Sequence, residues 1–102
     1  MSSWYKIAKI EEIPKMGSRV VQINEIEIAI FKTNDNLIYA INNICPHKQG
    51  KLSEGLVHGE IVTCPLHNAD ISLKTGEAIS ENYGCTKKYE IKIDNEMIYL
   101  QF

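Results

Sequence analysis

This 102-residue sequence has no block of like charge, no long apolar run and too few cysteines for a disulfide scaffold. Its 11 basic and 13 acidic residues are interspersed and leave a formal net charge of −2, so no basic face is available to grip nucleic acid. The longest unbroken apolar stretch, Leu37-Ile38-Tyr39-Ala40-Ile41, falls far short of the roughly 20 residues that a membrane-spanning helix needs. Met1-Ser2-Ser3-Trp4-Tyr5-Lys6 lacks the apolar centre of a secretory signal, and the expected address is the cytoplasm. There are no internal repeats, low-complexity tracts or linkers. Nor is there a Walker loop, a G-x-G-x-x-G fingerprint, a nucleophile–base pair or a pair of catalytic carboxylates. Alone, the chain is expected to catalyse nothing.

What the sequence does hold is a two-residue rhythm. Val20-Val21-Gln22-Ile23 and Ile26-Glu27-Ile28-Ala29-Ile30-Phe31 flank Asn24-Glu25 and read as a tight hairpin, with Ile26, Ile28 and Ile30 on one face. Asn34-Asp35-Asn36 makes a turn, and 37–41 adds a third strand. Residues 4–8 read as a strand with Trp4 as a core anchor, and Ile10-Glu11-Glu12-Ile13 gives one helical turn before Pro14 stops it. Residues 60–63 read as a strand, 71–73 and 77–79 as a short hairpin, and 88–93 with 97–102 as a closing hairpin. Length and pattern predict one all-β domain over 1–102, an antiparallel sandwich or barrel with an irregular metal-binding loop region over about 42–70 inserted between sheet strands.

The chemistry concentrates in 45–67. Cys45-Pro46-His47 is followed, sixteen residues on, by Cys64-Pro65-Leu66-His67. Without a disulfide framework, thiols beside imidazoles at short spacing point to metal, and such donors suit zinc, copper or iron–sulfur clusters. Structural zinc sites usually pair Cys with Cys and His with His. Here each pair is mixed, which suits a [2Fe–2S] cluster with two cysteines on one iron and two histidines on the other. Zinc stays as the rival. Cys85, standing alone, reads as a small packed hydrophobe, and His58, outside both motifs, as a surface loop residue. Gly50, Gly55 and Gly76 read as turn residues with positive φ.

C-x-H-x16-C-x2-H is the Rieske signature, and every ligand position is filled. Cys45-Pro46-His47-Lys48-Gln49-Gly50, Leu52-Ser53-Glu54-Gly55, Val62-Thr63-Cys64-Pro65-Leu66-His67-Asn68 and Leu73-Lys74-Thr75-Gly76-Glu77-Ala78 surround it. With Gly84-Cys85-Thr86, these segments resemble the small subunit of assimilatory NAD(P)H-dependent nitrite reductase over nearly the whole chain. The resemblance implies one Rieske [2Fe–2S] cluster, with Cys45 and Cys64 on an iron that stays ferric and His47 and His67 on the iron that cycles. It also implies a large catalytic partner carrying FAD, a [4Fe–4S] cluster and sirohaem.

Replacing two thiolates by neutral imidazoles makes the site less negative, so Rieske potentials run from roughly −150 to +300 mV against about −400 mV for plant-type ferredoxins. High-potential members add a disulfide between the loops and Ser and Tyr hydroxyls near the sulfurs. The matching positions are Gly50 and Leu66, then Ala69 and Ile71, so a potential low in that range is expected. Ala69 also stands where many soluble Rieske proteins have an aromatic ring. Two rivals remain to be distinguished: a free-standing Rieske ferredoxin serving a ring-hydroxylating oxygenase, and a zinc-stabilised interaction module.

Overall fold

The computed structural model describes residues 3–44, 51–64, 70–79 and 86–102. Among these residues ten short strands follow one another as β1 (Trp4–Lys9), β2 (Gly17–Ile23), β3 (Ile26–Lys32), β4 (Ile38–Asn42), β5 (Leu56–His58), β6 (Ile61–Thr63), β7 (Asp70–Ser72), β8 (Lys88–Tyr89), β9 (Ile91–Asp94) and β10 (Met97–Gln101). All pairings are antiparallel, and they build three sheets, β1-β10-β9, β2-β3-β4-β8 and β5-β6-β7. Single 3-10 turns at Ile10–Glu12 and Leu52–Glu54 are the only helical pieces among the described residues. No helix there is long and apolar enough to cross a membrane. The all-β expectation holds, and the small sheet β5-β6-β7 is the insert between β4 and β8.

The four-stranded sheet is the middle layer. Along β3, Ile28 and Ile30 point to one side and Ala29 and Phe31 to the other, and all four are fully buried. On one side Ile28, Ile30 and Ala40 meet Ile13, Ile98 and Leu100 of the β1-β10-β9 layer. On the other, Ala29, Phe31 and Ile41 meet Leu52 of the second 3-10 turn, Val57, Val62 and Ile71 of the small sheet, and Cys64 and Leu73 just beyond its strands. Ala29 and Phe31 are apolar on the second face because another layer covers it.

The hairpins form where the turn chemistry placed them. Asn24 and Glu25 have φ of 49° and 72°, and Asn95 and Glu96 have 50° and 65°, the left-handed pairs of two-residue hairpins. The 71–79 hairpin is looser than expected, with an Ile71–Ala78 bridge and Ser72 N–H bonded to the Glu77 carbonyl at 2.9 Å.

Some expectations are corrected. The 88–93 strand breaks at Glu90, so that β8 joins β4 and β9 joins β10. Tyr89 is buried, but Ile93 is exposed on an edge strand beside the 95–96 turn. Trp4 is not a core anchor. It lies 44% exposed on the edge strand β1, with the Lys92 ammonium 5.5 Å from its ring. His58 sits in β5 rather than in a loop, and its side chain is exposed as expected.

Candidate metal centre

Cys64 directly follows β6. Alternation along that strand turns Val62 inward, Thr63 outward and Cys64 inward again, and Cys64 is fully buried in the cluster containing Leu52, Val57 and Ile71. Cys45, His47 and His67, with Pro46, Gly50, Pro65, Leu66, Asn68, Ala69, Gly84 and Cys85, lie outside the described residues. The chain leading to and from the two ligand-bearing segments, 45–50 and 65–69, is described on both sides.

Asn43 anchors the first approach. Its side chain is buried, Nδ2 donates to Glu27 Oε1 at 3.1 Å, and Oδ1 accepts from Ser53 N–H at 2.7 Å. The Ser18 hydroxyl donates to the Ser53 carbonyl at 2.9 Å, so the 3-10 turn at 52–54 is tied to β2 as well. Gly55 then passes against β6 so closely that a Cβ would lie 2.3 Å from the Thr63 carbonyl oxygen. The requirement for glycine is therefore steric, since Gly55 has φ of −82° rather than the positive value expected. Gly76 does have positive φ, at 81°, and a Cβ there would also strike the Thr86 carbonyl. Through Asn43–Ser53 and Gly55–Thr63, the approaches to both ligand-bearing segments are bonded or packed together.

On the outer face of the small sheet, the Thr63 hydroxyl donates to Asp70 Oδ1 at 2.7 Å, and His58 Nε2 lies 2.7 Å from the same hydroxyl oxygen. Farther along, the Tyr39 hydroxyl donates to Glu60, whose carboxylate also faces Lys74 Nζ at 3.5 Å. Burial, then that bond, pushes Tyr39 up to about 12. The bond from Tyr39, then Lys74, holds Glu60 below the usual carboxylate range against a smaller opposing effect of burial. Asn43, Thr63 and Asp70 were not singled out in the sequence. Neither charge nor spacing marks them, because their partners are brought in by the fold.

Among the described residues, no group of three or more His, Cys, Asp or Glu is arranged to hold a metal ion. Three of the four ligand candidates fall outside that set. The one that is described, Cys64, is buried among apolar side chains, where a thiolate is tolerated only with a cation bound to it. An antiparallel β domain with a Cys-His segment at each of two adjoining approaches has the donor types of an iron–sulfur electron-transfer protein.

Comparison with known proteins agrees. The model of the Rieske-like [2Fe-2S] domain matches residues 3–101, and the chain belongs to that family. It is a Rieske electron-transfer domain and carries a Rieske [2Fe–2S] cluster. It is 31% identical over 105 residues to the ferredoxin component of the naphthalene 1,2-dioxygenase/salicylate 5-hydroxylase systems of Ralstonia sp., covering 97% of this chain and 95% of that one. The solution structure of the E. coli protein NirD superposes with a TM-score of 0.87 at 26% identity, over 100% of this chain and 98% of that one. A Mycobacterium tuberculosis protein described as an NADH-dependent nitrite reductase small subunit gives 0.89 at 16% identity, covering 100% and 96%, a likeness of fold.

Proposed function

We propose that this chain is the electron-transferring small subunit of a cytoplasmic, NAD(P)H-dependent assimilatory nitrite reductase, a single domain over 1–102 whose cluster is held by Cys45, His47, Cys64 and His67. The observation that carries this reading is the segment-by-segment resemblance of 45–50, 52–55, 62–68, 73–78 and 84–86 to that subunit family. End-to-end likeness to E. coli NirD and to the M. tuberculosis protein supports it. The cluster supplies one-electron transfer, with the less negative imidazole-bound iron as the electron's seat. Cys64 would hold its iron from inside the apolar layer, where water is excluded. The partner is a large subunit carrying FAD, a [4Fe–4S] cluster and sirohaem, where nitrite is reduced to ammonia, and the electron would pass between it and this chain through the iron held by His47 and His67.

A second reading is favoured by the 31% identity to a dioxygenase ferredoxin component, namely a free-standing ferredoxin feeding a ring-hydroxylating oxygenase. Reconstitution separates the two. Added to a sirohaem–flavin large subunit, the chain should raise NAD(P)H-dependent ammonium formation from nitrite. Ammonium formation that does not respond, together with turnover of an aromatic substrate by a terminal oxygenase, would select the ferredoxin. The ligand set is tested by iron and acid-labile sulfide analysis with EPR of the reduced protein. His47→Ala and His67→Ala should each abolish or alter the rhombic signal, whereas zinc in place of iron would remove the redox reading altogether.

A further inference from the structure

We infer that His58, Thr63 and Asp70 form a side-chain clamp across the neck of the second ligand-bearing segment and act as positioning residues for Cys64 and His67. The inference rests on the ligand assignment proposed above. Thr63 and Asp70 are register partners, the last pair of β6 and β7 before the chain leaves through Cys64 and returns at Asp70. Their side chains close the same neck a second time, through the 2.7 Å bond from the Thr63 hydroxyl to Asp70 Oδ1.

His58 adds a third strand to the closure. Its register partner is Ile61, yet its ring reaches Thr63 diagonally along the outer face, with Nε2 at 2.7 Å from Oγ1 and 3.9 Å from Asp70 Oδ1. The Thr63 hydrogen is committed to Asp70, so the hydroxyl oxygen accepts from His58 Nε2–H. One hydroxyl is thereby used in both directions and ties β5, β6 and β7 together at the end from which the ligands depart. On the opposite face the same neck is gripped by Val62 and Ile71, both fully buried. Cys64 is one peptide beyond Thr63, so a shift of the clamp is transmitted directly to the thiolate. The side chains of His58 and Asp70 are 46% and 38% exposed, where such bonds contribute little to global stability. Their effect is local, on the freedom of a short segment with both ends held.

Thr63→Val tests this in the cluster-loaded protein, since it keeps the shape and removes both hydroxyl bonds. Cluster loss to an iron chelator, followed by bleaching of the visible absorbance, should be roughly tenfold faster than in the wild type, and the midpoint potential should move. Thr63→Ser restores the hydroxyl and should return both readings to wild-type values. Asp70→Ala should reproduce the Val effect, and Asp70→Asn, which keeps the Oδ1 acceptor, should not. If Thr63→Val does not fold, Asp70→Ala carries the same expectation. A clustered wild type with unchanged chelator rate and potential in Thr63→Val, or in Asp70→Ala in that event, overturns the clamp alone. So does a Thr63→Ser variant as labile as the Val variant. A wild type without iron, or one whose signal survives His67→Ala, overturns the ligand assignment and the clamp together.

Discussion

At the scale of single residues, the contrast between Cys64 and Asn43 shows what a sequence can reveal. The donor set proposed around Cys64 is legible because thiol and imidazole at fixed spacing imply one whatever the fold. Asn43 was not, because its worth lies in Glu27 and Ser53, which only the folded chain delivers. Asn43→Ala leaves the Ser53 amide and a Glu27 carboxylate oxygen without this partner, and should cost about 2 kcal/mol by denaturant unfolding. The Tyr39–Glu60 bond gives a pH signature. Tyr39 is raised from about 10 to about 12, so its contribution to stability is complete below pH 10 and fades as pH climbs through 12. Glu60 is lowered, so its contribution is complete above the ordinary carboxylate value and fades as pH falls through the depressed one. In an absorbance titration of tyrosine ionisation, Tyr39→Phe should remove a step near pH 12.

At the scale of elements, the strands were legible because a buried face repeats every second residue, and the hairpins because Asn and Asp mark left-handed turns. What could not be read was which strands end at an edge. Trp4 looks like a core residue until β1 is seen to have a neighbour on one side only, and 88–93 looks continuous until its halves join different sheets. The insert was legible as irregular, and its sheet was not, since β5, β6 and β7 have three residues each, too few to establish a period. The turn at Asn24-Glu25 retains a removable cost. Glu25 holds φ of 72°, a conformation that disfavours a residue with a Cβ. Glu25→Gly creates the Asn-Gly pair favoured there, and should stabilise the fold by about 0.5–1 kcal/mol, read as a higher Tm with unchanged visible absorbance.

At the scale of the whole molecule, the central sheet divides the interior into two cores with different dependence on the cluster. Ile71 lies in the same apolar layer as Cys64, fully buried and without a hydroxyl to offer a cluster sulfur. A cluster whose sulfurs lack that bond is harder to reduce, so a redox titration should give a midpoint below zero at neutral pH, in the lower part of the Rieske range. The same layer holds Leu52, Val57 and Val62 around Cys64, whereas Ile13, Ile98 and Leu100 pack on the far side of β3 and contain no ligand candidate. With the ligands proposed above, removing the metal would replace a bonded thiolate by a thiol and free both segments whose approaches meet at Asn43, Ser53, Gly55 and Thr63. The loosening should be confined to one layer, because opening energies differ between cooperative units of a single domain. Hydrogen exchange of the apo-protein is therefore expected to accelerate at the amides of β5, β6 and β7, while those of β1, β9 and β10 keep their cluster-loaded rates. Equal acceleration in both layers would mean that β3, buried on both faces, couples the two cores into one unit that the cluster holds closed.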